Sequence, residues 1–312
     1  MTASPASLVS SMTPDPAVPA LRVSGLVKHY GPVQAVNGID LEVRRGEVFG
    51  FLGPNGAGKT TTIRCILDLL RPTAGRIEVL GVDAQRDGEA ARALVAYVPG
   101  ELRLPERMTG EELVGSIGRL RGGLDHGRKR ELAERLGLDL GRRLRELSSG
   151  NRRKVALLLA FVTDAPVLVL DEPTNGLDPL LQQEFLALVR EARARGATVF
   201  LSSHVLSEVQ QVADRVAVVR QGRIVAQGTV ADLRGRSFVR VEAWFTGEPP
   251  RDALAAVAGL ERPVFAGRQL SAIMSGPVQP LLEVVARHPV EHLLIEQPGL
   301  EDAFLDLYGS AR

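Results

Sequence analysis

The chain has 312 residues, of which 45 % are hydrophobic and 24 % are charged, and this balance excludes a disordered or collagen-like protein. The formal net charge of +1 gives no overall positive excess that would indicate nucleic acid as the main partner. The only cysteine, Cys65, excludes intramolecular disulfides and cysteine-cluster metal sites and is typical of a reducing compartment, which favours the cytoplasm. The apolar stretches are too short or too interrupted to cross a bilayer, which needs about 20 apolar residues.

The first part of the chain divides into a tail and a strand-rich region. Residues 1–19 contain four prolines among Ser, Thr and Ala and lack the basic start and apolar core of a signal peptide, so we expect a disordered tail. Alternating apolar residues between positions 21 and 43 predict antiparallel strands with a turn at Asn37-Gly38. The apolar runs 48–52, 167–170 and 198–201, separated by helical patterns, predict buried strands of an α/β fold.

Two further regions have patterns of their own. Residues from about 104 to 147 lack strand runs and show helical spacing of apolar residues, which predicts a helical insert in a domain that spans 20–235. After Arg234-Gly235-Arg236 the alternation restarts and predicts a second, small α+β domain at 236–312, which resembles a ferredoxin-like unit. Its predicted strands are 239–245, 270–274 and 292–296, and its predicted helices are 252–257, 278–287 and 300–307.

A glycine-rich loop follows the first buried strand and matches the pattern GxxxxGK[ST]. Its glycines let backbone N–H groups face a phosphate, and the helix that follows adds its partial positive charge. Lys59 would span the β- and γ-phosphates, and Thr60 would reach Mg²⁺. A plain glycine turn is the alternative. The candidate nucleotide-binding residues here are Gly53, Pro54, Asn55, Gly56, Ala57, Gly58, Lys59, Thr60 and Thr61.

Two carboxylates, Asp171 and Glu172, directly follow the apolar run 167–170. This places both acids at the carboxyl end of a buried strand, where ligand sites of α/β proteins lie. Asp171 would hold Mg²⁺ through water, and Glu172 would orient or deprotonate the attacking water. The alternative is an acid pair that caps the next helix.

A third motif, Leu147-Ser148-Ser149-Gly150-Asn151, precedes a basic and then apolar helix. Taken alone, it is a serine N-cap with a basic first turn, and the same helix start can bind an anion. The motif resembles the LSGGQ signature of the ATP-binding cassette (ABC) ATPases, and Ser148 lies 23 residues before Asp171, as the order of motifs in that family requires. In the family, the anion is the γ-phosphate of an ATP held by the partner subunit.

Further motifs match the ABC pattern in order. Residues 173–178, which end at Asp178, resemble the D-loop that crosses the dimer interface. His204 ends the strand that follows Glu172 and resembles the switch histidine that contacts the γ-phosphate and attacking water, whereas a lone histidine is usually structural. Tyr30 matches the aromatic residue that stacks on adenine; a loop tyrosine is otherwise more often a packing residue.

The chain departs from the family pattern at two motifs. Gly100 stands where the Q-loop glutamine is expected, so either Glu101 replaces that glutamine as a contact to Mg²⁺ or water, which we favour, or that function is weakened. In the signature, Ser149 replaces the first glycine and Asn151 the glutamine, while Ser148 and Gly150 remain. Because Ser148 and Gly150 remain, we expect the site to be catalytically active.

The resemblance implies an α/β P-loop NTPase fold of the ABC type, with an antiparallel β subdomain, a parallel-sheet core and the helical insert. It further implies that two copies close head to tail around two Mg-ATP molecules and drive a permease. The end of the chain, with residues 300–305, resembles the C-terminal extension of the daunorubicin-resistance type of drug-exporter ATPase, whose permease is a separate polytopic chain. We therefore expect an ABC-2 type exporter subunit at the cytoplasmic face of the membrane.

Two alternatives to the exporter stay open at this point. A soluble ABC ATPase that acts on nucleic acid or the ribosome is the first, although we expect no nucleic acid partner because the chain has one P-loop and no sustained heptad run. A P-loop kinase or GTPase is the second, and it does not explain residues 148–151 or Asp178.

The region 119–154 has an excess of positive charge, with 12 Arg or Lys against 5 Asp or Glu. This excess fits contact with anionic lipid or phosphate but is more simply a solvated helix face.

Overall fold

A computed structural model describes residues 18–235 and 239–296 of the chain. Two compact units divide between Val230 and Ala231. The predicted tail reaches two residues too far, because Pro19 is buried and the carbonyl of Val18 accepts a hydrogen bond of 2.8 Å from Nε of Arg45. The rest of the predicted tail and the predicted helix at 300–307 lie outside the described residues.

The first unit begins with an antiparallel sheet of β1 (Leu21–Tyr30), β2 (Val33–Val43), β4 (Ala74–Val79) and β5 (Val82–Asp83), in the order β2-β1-β4-β5. The prediction of a turn at Asn37-Gly38 was wrong, because β2 runs through both residues. Gly38, with φ of 73°, is the extra residue of a β-bulge, at which the pairing changes register. The hairpin instead turns between Tyr30 and Val33, which pair directly.

The core sheet of this unit has six strands: β3 (Val48–Leu52), β6 (Val95–Val98), β7 (Val167–Asp171), β8 (Thr198–Ser203), β9 (Arg215–Arg220) and β10 (Arg223–Thr229). Their order is β10-β9-β3-β8-β7-β6, and all neighbours are parallel except β9 and β10. Every residue of β3, β7 and β8 is buried, as is usual in parallel sheets, and the three predicted strands are confirmed. The rings of Phe51 and Phe200 pack at 5.2 Å between these strands.

Helices connect the strands of the first unit. They are α1 (Lys59–Ile66), α2 (Gly88–Ala93), α3 (Gly110–Leu120), α4 (His126–Arg135), α5 (Ser149–Val162), α6 (Pro179–Ala194) and α7 (Leu206–Gln210), and α8 (Val230–Gly235) begins at the last residue of the unit. The insert between β6 and β7 contains α3, α4, a 3₁₀ turn and α5, which confirms its helical character. A capping box of Thr109 and Glu112 starts α3.

Several basic residues of the region 119–154 bond within the unit. Arg121 and Arg128 donate to backbone carbonyls, and Arg135 forms ion pairs that hold α4 against α6. Their partners are the carbonyls of Ala93, Val95 and Phe161 and the carboxylates of Glu131, Glu184 and Glu191. Part of the excess positive charge is therefore engaged in hydrogen bonds and ion pairs within this unit. Contact of the remaining basic residues with anionic lipid stays a hypothesis.

The second unit has the order β11 (Val239–Phe245), α9 (Arg251–Ala255), β12 (Leu260–Ala266), β13 (Gln269–Met274), α10 (Gln279–Val285) and β14 (Val290–Glu296). Its sheet is antiparallel in the order β12-β13-β11-β14, which is the ferredoxin-like arrangement that was predicted. Leu254 of α9 and Leu281 of α10 pack into the core of this unit. No helix within residues 18–235 and 239–296 is long and apolar enough to cross a bilayer.

Candidate active site

The glycine-rich loop runs from the end of β3 to the start of α1, and the space around it admits only glycine at two positions. A Cβ on Gly53 would lie 2.4 Å from the carbonyl oxygen of Val219, and a Cβ on Gly58, whose φ is 104°, would lie 2.5 Å from that of Ala35. No side chain caps α1, and its first turn contains no acid. The amides at this helix start are therefore suited to bind an anion.

Lys59, the first residue of α1, is almost fully buried and makes three polar contacts. Its Nζ donates to the carbonyl oxygens of Gly53 at 2.6 Å and Pro54 at 3.2 Å, and it forms an ion pair of 3.0 Å with Oε1 of Glu172. The ammonium group is thus held inside the loop, where the sequence predicts a bound phosphate.

Asp171 and Glu172 lie at the carboxyl end of β7, beside the end of β8. Oδ1 of Asp171 accepts a hydrogen bond of 2.6 Å from Oγ of Ser202, whereas Oδ2 is buried and has no hydrogen-bond partner. Glu172 adopts φ of 47°, a left-handed conformation that costs a non-glycine residue about 1–2 kcal/mol. Its N–H donates to the carbonyl of Ser202 at 3.2 Å, which helps to hold this conformation.

His204 follows the last residue of β8 and contacts the same carboxylate. Its Nδ1 lies 2.7 Å from Oε2 of Glu172. Since an ionised carboxylate only accepts hydrogen bonds, we assign the proton to Nδ1 when Glu172 is charged. Lys59, Glu172 and His204 therefore form one connected group, and Ser202 fixes Asp171 next to it.

Residues that fit a bound Mg²⁺ are present at this group. The unpartnered Oδ2 of Asp171 is buried and matches the carboxylate oxygen that such a cation or its water would use. Thr60 is half-buried at the second position of α1, whereas Glu101 is exposed. In the part of the chain that the structure describes, no three His, Cys, Asp or Glu side chains lie close enough to hold a metal by themselves. A role for Glu101 stays a prediction.

The other predicted nucleotide contacts lie on the surface. Tyr30 ends β1 with 45 % of its surface exposed, and Nζ of Lys28 is 5.4 Å from its ring centre. Ser148 is the exposed N-cap of α5, and its Oγ accepts a hydrogen bond of 3.2 Å from N–H of Asn151. Among the described residues, no hydrogen bond or ion pair joins Tyr30 or Ser148 to Lys59 or Glu172.

The segment 173–178 lies next to the signature. A Cβ on Gly150 would be 3.3 Å from the carbonyl oxygen of Gly176, so the two motifs approach each other in one surface region. Asp178 caps α6 by accepting a hydrogen bond of 3.1 Å from N–H of Leu181. The N-cap predicted at Ser148 is thus observed, whereas the N-cap at Asp178 was not predicted. Contact of either residue with a partner subunit stays a prediction.

Sequence reasoning missed the roles of two residues at this site. Ser202 pairs with Asp171 across β7 and β8, and the signal was a serine at the end of the neighbouring predicted strand. Arg153 is buried and donates to the carbonyls of Pro99 and Gly100. No sequence pattern distinguished it from the adjacent basic residues of the helix.

Comparisons with known proteins agree with this geometry. Residues 36–175 match the family of ABC transporters. The chain is 37 % identical, over 94 % of its length and 97 % of the relative, to the daunorubicin resistance ATP-binding protein DrrA3 of Streptomyces coeruleorubidus. It is 33 % identical, over 93 % of its length and 97 % of the relative, to the Nod factor export ATP-binding protein I of Rhizobium sp. (strain N33).

A solved structure of an ATP-binding subunit of an ABC transporter is 32 % identical, with a TM-score of 0.64, over 69 % of this chain and 92 % of that one. The identities, the coverage and the order of the motifs agree with one another. This chain belongs to the ATP-binding proteins of ABC transporters and is an ATPase.

Proposed function

We propose that this chain is the ATP-hydrolysing subunit of an ABC-2 type exporter, in which two copies close head to tail around two Mg-ATP molecules. Each site would combine the glycine-rich loop of one copy with residues 148–151 of the other. The observation that carries ATP hydrolysis is the connected group of Lys59, Glu172 and His204 beside the uncapped start of α1.

The chemistry assigned to the chain is mainly positioning and electrostatic stabilisation. The loop amides and Lys59 would bind the β- and γ-phosphates, and Tyr30 would stack on adenine. Glu172 would accept a proton from the attacking water or orient it, and His204 would hold that carboxylate in place. Thr60 and Asp171 would hold Mg²⁺, which supplies charge neutralisation at the phosphates.

The head-to-tail dimer is supported by the surface of the signature region. Ser148 and Ser149 are exposed, and the first turn of α5 contains no acidic residue, so an anion from a second copy meets no repulsion there. Asn175 and Gly176, beside Gly150, are exposed as well. This composition supports the proposal that the surface binds a phosphate held by another subunit.

A separate polytopic permease at the cytoplasmic face is the proposed partner, and drug export the proposed transport. Relatives that match more than nine-tenths of the chain are a daunorubicin resistance ATP-binding protein and a Nod factor export ATP-binding protein, and these names support export. No observation favours nucleic acid as a partner.

An affinity experiment tests the partner directly. Tagged Glu172→Gln protein is isolated from its host in mild detergent with Mg-ATP, and the retained proteins and nucleic acids are identified. We expect a polytopic membrane protein, and its amount should fall in the matched control Lys59→Ala/Glu172→Gln, which lacks the phosphate contact. Ribosomes or DNA without a membrane protein would replace the exporter with the soluble alternative.

A further inference from the structure

A buried arginine on α5, Arg153, is bonded to the backbone segment that lies next to Asp171. Arg153, on the first turns of α5, is 7 % exposed, and its Nη1 and Nη2 donate to the carbonyl oxygens of Pro99 at 2.5 Å and Gly100 at 2.6 Å. Burial is the largest influence on the pKa of Arg153 and lowers it, while the carboxylates of Asp171 and Glu172 raise it. Because arginine stays protonated in proteins, a positive charge is kept at this point.

The segment that Arg153 holds lies against the unpartnered oxygen of Asp171. Pro99 and Gly100 directly follow β6, which pairs with β7. A Cβ on Gly100 would lie 3.1 Å from Oδ2 of Asp171, the oxygen that is buried without a partner. The backbone at Gly100 therefore forms the wall next to that oxygen, and no side chain at position 100 fits there without a shift.

We propose that Arg153 is a positioning residue that holds the backbone of Gly100 against Asp171 and so keeps Asp171 in place for Mg²⁺. The proposal rests on the proposed function, because it assumes that Asp171 serves a cation. The arginine on α5 thus sets the position of the backbone next to Asp171. Its two N–H donors reach two carbonyls at once, which lysine does not reproduce.

The test compares Arg153→Met with Arg121→Met, because Arg121 has the same chemistry at the other end of β6. Arg121 donates to the carbonyls of Ala93 and Val95, before and at the start of that strand, although it is more exposed than Arg153. Binding of Mn²⁺, as a probe for Mg²⁺, is measured by electron paramagnetic resonance with the non-hydrolysable analogue adenylyl-imidodiphosphate. Binding of the analogue alone is measured in EDTA.

We expect Arg153→Met to weaken Mn²⁺ binding about tenfold, the usual loss for an outer-sphere partner of a metal site, and to change binding of the analogue in EDTA less than about twofold. Arg121→Met should leave both constants within about twofold of the wild type. Equal losses in both variants would mean that Arg153 only stabilises the contact between insert and core. Unchanged Mn²⁺ binding in Arg153→Met would mean that Asp171 does not depend on Arg153. Either outcome would overturn the proposal.

Two further variants keep the test decisive. Arg153→Lys keeps the charge but has one donor nitrogen in place of two, so Mn²⁺ binding should fall between that of Arg153→Met and that of the wild type. Wild-type Mn²⁺ binding in a folded Arg153→Lys protein would also overturn the proposal. Gly100→Ala should weaken Mn²⁺ binding, and its effect should not add to that of Arg153→Met, since both act on one contact. Additive losses would contradict the proposed path. Recovery of ribosomes or DNA without a membrane protein in the affinity experiment would instead refute the proposed function and leave the proposal on Arg153 standing.

Discussion

The ammonium of Lys59 and the carboxylate of Glu172 form an ion pair, with Nζ 3.0 Å from Oε1, and both side chains are nearly inaccessible to solvent. The two residues have separate assigned tasks, phosphate binding for one and water activation for the other. Phosphate oxygens that enter the loop compete with Glu172 for the same ammonium. Nucleotide binding is therefore expected to release the carboxylate for its own task.

Glu172→Gln should bind ATP at least as well as the wild type but turn it over about 100-fold more slowly or worse, because the general base is lost while the lysine is freed. Steady-state hydrolysis and equilibrium nucleotide binding measure the two effects. The same substitution at exposed Glu248, in the second unit, is the control and should leave turnover unchanged. Near-wild-type hydrolysis by Glu172→Gln would refute the assignment of Glu172.

Lys59→Ala should abolish ATP binding and also lower the free energy of unfolding by about 3 kcal/mol, because a buried carboxylate loses its cation. Chemical denaturation and nucleotide titration check the two parts. Lys59→Ala/Glu172→Gln should recover much of the stability but none of the binding. If stability stayed low in the double variant, the loss would arise from the loop contacts of Lys59 to Gly53 and Pro54 instead.

His204→Ala should reduce turnover about 100-fold with little change in ATP affinity, because Glu172 loses the group that orients its Oε2. Turnover and affinity are measured separately to distinguish catalysis from binding. His126→Ala, on the exposed side of α4, is the matched control. Equal turnover in the two variants would mean that His204 has no role in catalysis.

Substitutions at Gly56 and Gly58 distinguish the cost of backbone strain from the cost of a direct steric contact. Both have positive φ, but a Cβ on Gly56 meets open space, whereas one on Gly58 lies 2.5 Å from the carbonyl of Ala35. Gly56→Ala should cost about 1–2 kcal/mol of stability from the left-handed backbone. Gly58→Ala should cost clearly more, as measured by urea unfolding. Equal losses would mean that the loop moves away from β2 at little cost.

The reactivity of Cys65, the single thiol, measures how well this part of α1 is packed. Burial raises the pKa of Cys65 to about 11, so this residue stays almost entirely a thiol at pH 8, and native alkylation should be far slower than alkylation in urea. Since the unfolded thiol ionises near 9.0, this group stabilises the fold fully below pH 9, and that contribution is lost as pH rises toward 11. Rapid alkylation of native protein at pH 8 would contradict this burial.

The local parts of the site could be predicted from the sequence, and the long-range parts could not. The glycine-rich loop is recognisable because strand, loop and helix are contiguous in the chain. By contrast, the bond between Ser202 and Asp171 depends on β8 lying beside β7, and the burial of Arg153 depends on carbonyls more than 50 residues earlier in the chain. A local pattern contains neither relationship.

Two errors in the predicted strands have local causes. Asn37-Gly38 has the composition of a hairpin turn, but the strand continues because the positive φ of Gly38 is accommodated in a bulge. β12 was not predicted because Glu261, Arg262 and Pro263 interrupt its apolar pattern. In the structure, this edge strand changes register at that point, and edge strands tolerate proline.

The segment between Glu172 and α6 is fixed at both ends. Oγ1 of Thr174 donates to Oε2 of Glu208 at 2.6 Å, on the short helix just after His204, and Asp178 caps α6. Only Asn175 and Gly176 remain exposed between these attachments and buried Leu177. If the proposed dimer forms, contact of a second copy with Asn175 and Gly176 would displace α6 and the segment after His204 together, because the turn between them is held at both ends.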